Sequence, residues 1–148
     1  MMPQPTQTVR DLIPLVARIA VGVVFIAHGL QKFLEWGVDG TAASFEQMGV
    51  PLPEVSAWIA ALVETVGGLA LLVGFALPVA GVLLAAVMVG AMVFVHLPQG
   101  FFASEGGVEL VLLLAAAALA LGFNGGRFSV DHALGSGRKL STGTPVNS

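Results

Sequence analysis

Residues 54–75 read EVSAWIAALVETVGGLALLVGF. The stretch is close to the ~20 residues that a helix needs to cross a bilayer. Stepping 100° per residue puts Ala57, Ala61, Glu64 and Gly68 on one face. Val55, Ile59, Leu62, Val66, Leu69 and Val73 fall on the opposite face. Small residues let membrane helices approach closely, so the first face points into protein and the bulky aliphatic face into lipid. Glu64 on the inward face is costly, about 2.5–3.5 kcal/mol on insertion scales, and must meet a polar partner or a water-filled cavity.

Three further apolar stretches have similar length: Leu12 to Leu34, Pro78 to Leu97 and Gly107 to Phe123. The first is broken by Pro14, Arg18 and His28 and is read as a helix rather than a cleaved signal segment. Hydrophobic residues make up 56% of the 148 and charged residues 10%, and the mean hydropathy is +0.91. A soluble chain this short could not bury that much apolar surface, since small domains hide only about 60–70% of it. Lipid leaves backbone groups unsatisfied, so an open-ended segment crosses as a helix. The expected fold is all-α: an integral membrane four-helix bundle over residues 1–134 with short polar tails, residues 135–148 forming a flexible C-terminal one. Segment 124–148 as a whole is Gly/Ser/Thr-rich and is expected to be disordered.

Charge sets the expected orientation. Arg10, Arg127, Arg138 and Lys139 flank the two chain ends, whereas the 35–53 connection has no Lys or Arg and carries Glu35, Asp39 and Glu46. The positive-inside rule then places both termini in the cytoplasm, in a multi-pass membrane protein. Trp36 and Trp58 fit an outer aromatic belt, and residues 42–48 fit a short interfacial helix. Lys32, at the outer end of the first helix, is expected to snorkel to the interface. The net charge of -3 and the lack of a basic stripe give no sign of a nucleic-acid partner. The absence of Cys removes disulfides, thiol catalysis and Cys-ligated clusters within this chain.

The ionisable residues repeat the pattern of Glu64. Arg18, Val21, Gly22, Phe25, His28, Gly29 and Lys32 share one arc of the first helix. His96 shares a face with Gly81, Ala85, Val89 and Met92, and Glu109 lines up with Ala116 and Ala120. These alignments predict a polar pocket in the outer half, formed by His28, Lys32, His96 and Glu109 and floored by Glu64, roughly 15 Å from the outer end of its helix. Arg18 lies in the inner half.

Read in order, the residues resemble the DoxX family. The matching pieces are Arg18 with Gly22, Phe25-x-x-His28-Gly29-x-x-Lys32-Phe33, Phe45, and Met48-Gly49-Val50-Pro51-x-Pro53. Glu64-x-x-Gly67-Gly68-x-x-Leu71-x-x-Gly74, His96, Gly107-x-Glu109 and Gly122-x-x-Gly125-x-x-Ser129-x-Asp131 follow. The resemblance spans about residues 15–134. It implies a small four-helix inner-membrane protein, with relatives similar to the membrane subunit of thiosulfate:quinone oxidoreductase. It further implies an oxidoreductase, a superoxide dismutase or a thiosulfate sulfurtransferase as candidate partners.

The chemistry follows two main lines. As a quinone-linked redox subunit, the chain would use Glu64 as proton acceptor, His28 or His96 to hold head-group oxygens and Arg18 to steady charge. As a non-enzymatic anchor it would recruit soluble partners; Glu64 would then pair with Arg18, Lys32 or His28 and fix helix register. A transporter or lipid-handling role ranks third, since four helices are few for alternating access without homo-oligomerisation. No cofactor is firmly implied, with quinone the candidate. A bis-His haem on His28 and His96, or a metal on His28, His96, Glu64 and Glu109, lacks any ligand-spacing motif. Glu109 near a helix N-terminus also gains from the helix dipole alone.

Overall fold

The computed structural model describes residues 1–141. Six helices follow in order: α1 Gln7–Glu35, α2 Gly37–Gln47, α3 Pro53–Val73, α4 Leu77–Gln99, α5 Glu109–Phe123 and α6 Val130–Ser141. No strand occurs among the described residues. Three helices are long and apolar enough to cross a bilayer: α1 with 29 residues, α3 with 21 and α4 with 23. The apolar α5 has 15 residues, about 22 Å of helix against a hydrocarbon core of about 30 Å. The result is an all-α membrane bundle.

Local chemistry sets the helix limits. Thr6 caps α1 through its side chain, accepting from the Val9 amide at 3.4 Å. Proline sits in the first turn of α3 and of α4, where the missing N–H costs nothing. Gly74 ends α3 in the left-handed conformation, φ 78°. The interfacial helix is longer than expected. It begins at Gly37, whose φ of 69° reverses the chain, and it buries Thr41 and Ala42.

The bundle is two helix pairs. α1 packs along α3, and α4 packs along α5. A Cβ on Gly22 would stand 2.9 Å from the Gly68 carbonyl oxygen, and one on Gly81 2.6 Å from that of Ala118. The core joins the pairs through Phe25, Leu71, Leu84, Met88, Leu114 and Ala118. In α1 and α3 the buried faces largely follow the predicted periodicity, while Val21 is half-buried and His28, counted on the same arc, is exposed at its edge. Arg18, Gly22, Phe25, Gly29 and Lys32 are inside. Ala57, Ala61, Glu64 and Gly68 join them, while Val55, Ile59, Leu62, Val66, Leu69 and Val73 face outward.

In α4 and α5 the expected faces are corrected. Val89 is 47% exposed, and Leu84 and Met88 are buried in its stead. Residues 92–96 form a π-helical turn, in which the Leu97 amide bonds five residues back to Met92. The extra residue shifts the register, so counting back from His96 misses the inner face by one position. In α5, Ala116 and Ala120 are exposed and Val111, Leu114, Ala115, Ala118 and Gly122 are buried. Its composition is nearly uniform Ala and Leu, and its one charge, Glu109, serves the preceding loop rather than the interior.

The expected tail is also corrected. Segment 124–141 carries α6, beginning at Val130, and it is tied to the bundle; residues 142–148 lie outside the described residues. The Asp131 carboxylate accepts from the amides of Ala76 and Leu77, both at 2.8 Å, and the Asp131 amide donates to the Gly74 carbonyl at 2.9 Å. Ala76 is left-handed, φ 48°, a conformation costing a Cβ-bearing residue about 1–2 kcal/mol. The two charge-assisted bonds from consecutive amides offset that cost and start α4.

Two outcomes follow. Gly81→Val should drive α4 from α5 and lower the thermal midpoint in detergent, with an overpacking cost of roughly 1–3 kcal/mol. Gly90→Ala, where a Cβ meets nothing within 4 Å, should leave it unchanged. Asp131→Ala should cost about 1–2 kcal/mol and open α6 to limited proteolysis. Ala76→Gly in that background should restore part of the loss by relieving the left-handed strain.

Candidate functional site

At the α2 end of the bundle the two helix pairs part and enclose a cavity of about 830 Å³. Phe25, Phe45, Val63, Val87, Met88, Val111 and Leu114 give it mostly apolar walls. Its ionisable lining is His28, Lys32, Glu64 and His96. Four of the six residues expected to form a site are thus brought together, and Arg18 and Glu109 are not.

Lys32 and Glu64 form an ion pair, Nζ to Oε2 at 2.6 Å, with side-chain exposures of 11% and 4%. The expectation that Lys32 snorkels to the interface is therefore corrected: the ammonium turns inward. Its second bond, at 3.3 Å, is to the carbonyl oxygen of His28. Two features aim the pair. Gly29 has no side chain where the backbone of Thr65 passes, a Cβ there lying 2.6 Å from the Thr65 amide, so α1 and α3 close to ion-pair range. Both residues also sit in π-helical turns, Gln31–Glu35 and Val63–Gly67. In the first, the Trp36 amide donates to Gln31 at 3.1 Å rather than to Lys32. The hydroxyl of buried Thr41 donates its one proton chiefly to the Gly37 carbonyl at 2.9 Å and lies 3.4 Å from the Lys32 carbonyl, which sets α2 beside the site.

Glu64 Oε1 takes no hydrogen bond from the described residues and is not sealed from the cavity. The floor thus presents one carboxylate oxygen beside an ammonium. On the opposite wall, His96 Nδ1 donates to the Gly106 carbonyl at 2.7 Å. In the neutral ring that bond puts the proton on Nδ1 and leaves Nε2 as an acceptor. His96 also ends a π-helical turn, so three such turns carry Lys32, Glu64 and His96. Such turns are frequent at functional sites.

The other two candidates act elsewhere. Glu109 accepts from the Ala103 amide at 2.9 Å and holds the loop before α5. Arg18 is wholly buried at the opposite end of the bundle. It donates to the carbonyls of Leu71 and Leu72 at 3.4 and 3.2 Å and to that of Phe128. Its ε nitrogen has no partner among the described residues. Arg18 therefore secures the α3 terminus and the strand of chain before α6, next to the Asp131 cap. Sequence reasoning missed the roles of Thr41 and Asp131. Asp131 had a signal, the Gly/Ser/Asp spacing after α5; Thr41 had none, because a lone Thr in a polar connection looks solvated. No group of three or more His, Asp or Glu side chains among the described residues could hold a metal ion.

The DoxX family profile matches residues 13–97. A Bacillus subtilis protein provisionally named oxidoreductase CatD is 34% identical over 84% of this chain and 89% of its own length. An uncharacterised membrane protein of Mycobacterium tuberculosis is 36% identical, covering 79% of this chain and 78% of that protein. The inner membrane protein YphA of Escherichia coli is 36% identical over 45% of this chain and 46% of its own. No solved structure gives a significant match.

The ion pair makes a sharp stability prediction. Lys32→Met should strand a buried carboxylate and destabilise by about 3–5 kcal/mol. The double variant Lys32→Met/Glu64→Leu should recover most of that in a detergent melt. A double variant as unstable as the single one would mean the pair is needed for packing beyond its charge.

Proposed function

The chain belongs to the DoxX family of membrane proteins, and from that premise we propose that it is the membrane subunit of a redox complex that exchanges protons with quinone in the outer cavity. One observation carries this reading: a buried Lys32–Glu64 pair, with a free carboxylate oxygen, floors an apolar cavity of about 830 Å³. The residues fit such a substrate. A quinone head needs hydrogen-bond partners for two oxygens and a group that moves protons. Lys32 can donate to one oxygen, and Glu64 can take the proton that quinol releases on oxidation or return one on reduction. His96 Nε2 is a second proton acceptor across the cavity. The electrons pass to or from a partner oxidoreductase, and the name of the Bacillus relative supports a redox role for the chain itself.

The topology that goes with this reading has four crossings and both termini in the cytoplasm. Close packing of Gly81 against Gly122 keeps α5 at the depth of α4, which supports α5 as the fourth span despite its 15 residues. The placement of Arg10 and Arg127 at the Arg18 end, remote from the cavity, supports that end as cytoplasmic. The inner membrane is the location that the name of the Escherichia coli relative suggests.

The test isolates the protein with its partners in native lipid particles. Stoichiometric quinone and a co-purifying oxidoreductase are expected. In that assembled complex Glu64→Gln, which keeps the size of the side chain, should lower quinone turnover about 100-fold or more. Unchanged turnover with the complex intact would end the proton-transfer role of Glu64. A soluble partner retained without quinone would favour the anchor reading.

A further inference from the structure

The cavity has a roof and an open side, and they differ in chemistry. α2 covers the outer end, with Thr41, Ser44, Phe45 and Met48 on the cavity. The loop between α4 and α5 covers the rest through Ala103, Gly106 and Gly107. Both covers are held: α2 by its packing on α3, with Thr41 buried beside the Lys32 carbonyl, and the loop by His96 to Gly106 and by Glu109 to Ala103.

The flank between α3 and α4 is different. The two helices share a turn and pack at that end, where Gly67 meets Leu84. The Pro53–Leu62 half of α3 makes no comparable contact with α4. The margins of the resulting gap are Ile59 on α3 and Leu83, Ala86, Gly90 and Phe94 on α4. Ile59 and Leu83 are about half exposed on the outer surface, yet both also line the cavity. At Gly90 a Cβ would meet nothing within 4 Å, so this part of the wall is open space. None of these margin residues is polar, and Ser56, one turn from Ile59 and also on the cavity, has its hydroxyl taken up by the Pro51 carbonyl. On α1, by contrast, the cavity lining includes His28 and Gln31.

We propose that the cavity is filled sideways from the bilayer, through the apolar gap between α3 and α4, by an amphiphile with a hydrogen-bonding head and a long hydrocarbon tail. The head sits at Lys32 and Glu64, and the tail lies in the gap against Ile59, Leu83 and Gly90. Charge and polarity favour this occupant. A purely apolar lipid chain would leave the ion pair without a partner, and a small polar solute would leave the apolar gap in contact with it. A half-exposed apolar seam facing lipid costs nothing, whereas the same seam facing water would not hold open. The choice of a quinone as the head rests on the function proposed above; the lateral route does not.

The chain has no cysteine, so one introduced thiol can be labelled cleanly. Gly90→Cys carries a nitroxide into the open wall, and Ala86→Cys is a second site on the same margin. Val66→Cys, on the outer face of α3, and Glu46→Cys, on the exposed face of α2 away from the cavity, are the references. With the full chain in phosphatidylcholine/phosphatidylglycerol vesicles, oxygen and a water-soluble nickel chelate compete to relax each label. Positions 90 and 86 should match position 66, with oxygen dominant. Nickel dominance at either, as at position 46, would show a water-filled cavity and overturn the lateral route. A decyl-tailed benzoquinone should then lower oxygen access at position 90 but not at 66, while benzoquinone without a tail should not. Equal effects of the two quinones, or none from the tailed one, would overturn the tail's placement in the gap. The relaxation result without quinone does not depend on Glu64 chemistry, so failure of the redox reading leaves it standing.

Discussion

A lysine and a glutamate facing each other at 2.6 Å inside a membrane protein organise much of this fold. Each charge alone would be expensive at that depth. Together they require α1 and α3 to approach closely, which Gly29 and the small residues Ala57, Ala61 and Gly68 permit. The same requirement accounts for the helix irregularities. A π-helical turn at Lys32 and another at Glu64 carry the two side chains toward each other, and buried Thr41 packs beside the Lys32 carbonyl. A residue in the connection is thereby set beside the ion pair, and α2 is fixed as a roof.

Close contact between α1 and α3 has a counterpart between α4 and α5, where Gly81 and Gly122 bring two nearly all-apolar helices together. With each pair tight, space is left between the pairs. At the Arg18 end it is closed by Phe25, Leu71 and Leu84 and by the cap that Asp131 makes on α4. At the other end it remains as the cavity. Arg18 and Lys32 therefore divide the work. The guanidinium collects backbone carbonyls and ties down the chain after α5, whereas the ammonium neutralises a carboxylate at the cavity floor. A planar group with several donors suits the first task and a compact point charge the second.

Much of this was legible in the sequence because membrane helices separate their faces by composition. In α1 and α3 the contrast between small or charged residues and bulky aliphatics is strong, and their buried faces, with Arg18, Lys32 and Glu64, could be read by counting. In α5 the contrast vanishes, and one glutamate at the first turn pointed to the wrong face. In α4 the contrast is just as weak, and the π-helical turn before His96 further shifts the count by one residue. Local hydrogen-bond slippage leaves no mark in a hydrophobicity pattern.

The sequence by itself determined the solvent, the apolar spans and the family, since these depend on composition and on spacing along one chain. It also determined that Glu64 needs a partner, because lipid offers none. Which of Arg18, His28 and Lys32 meets it was decided only in three dimensions. That choice depends on how far α1 and α3 slide along each other, which glycine contacts and π-helical turns set. The order in the segment after α5 was likewise tertiary: a Gly- and Ser-rich stretch has little local reason to hold one shape. Asp131 supplies the reason only when the bare amides of Ala76 and Leu77 lie beside it.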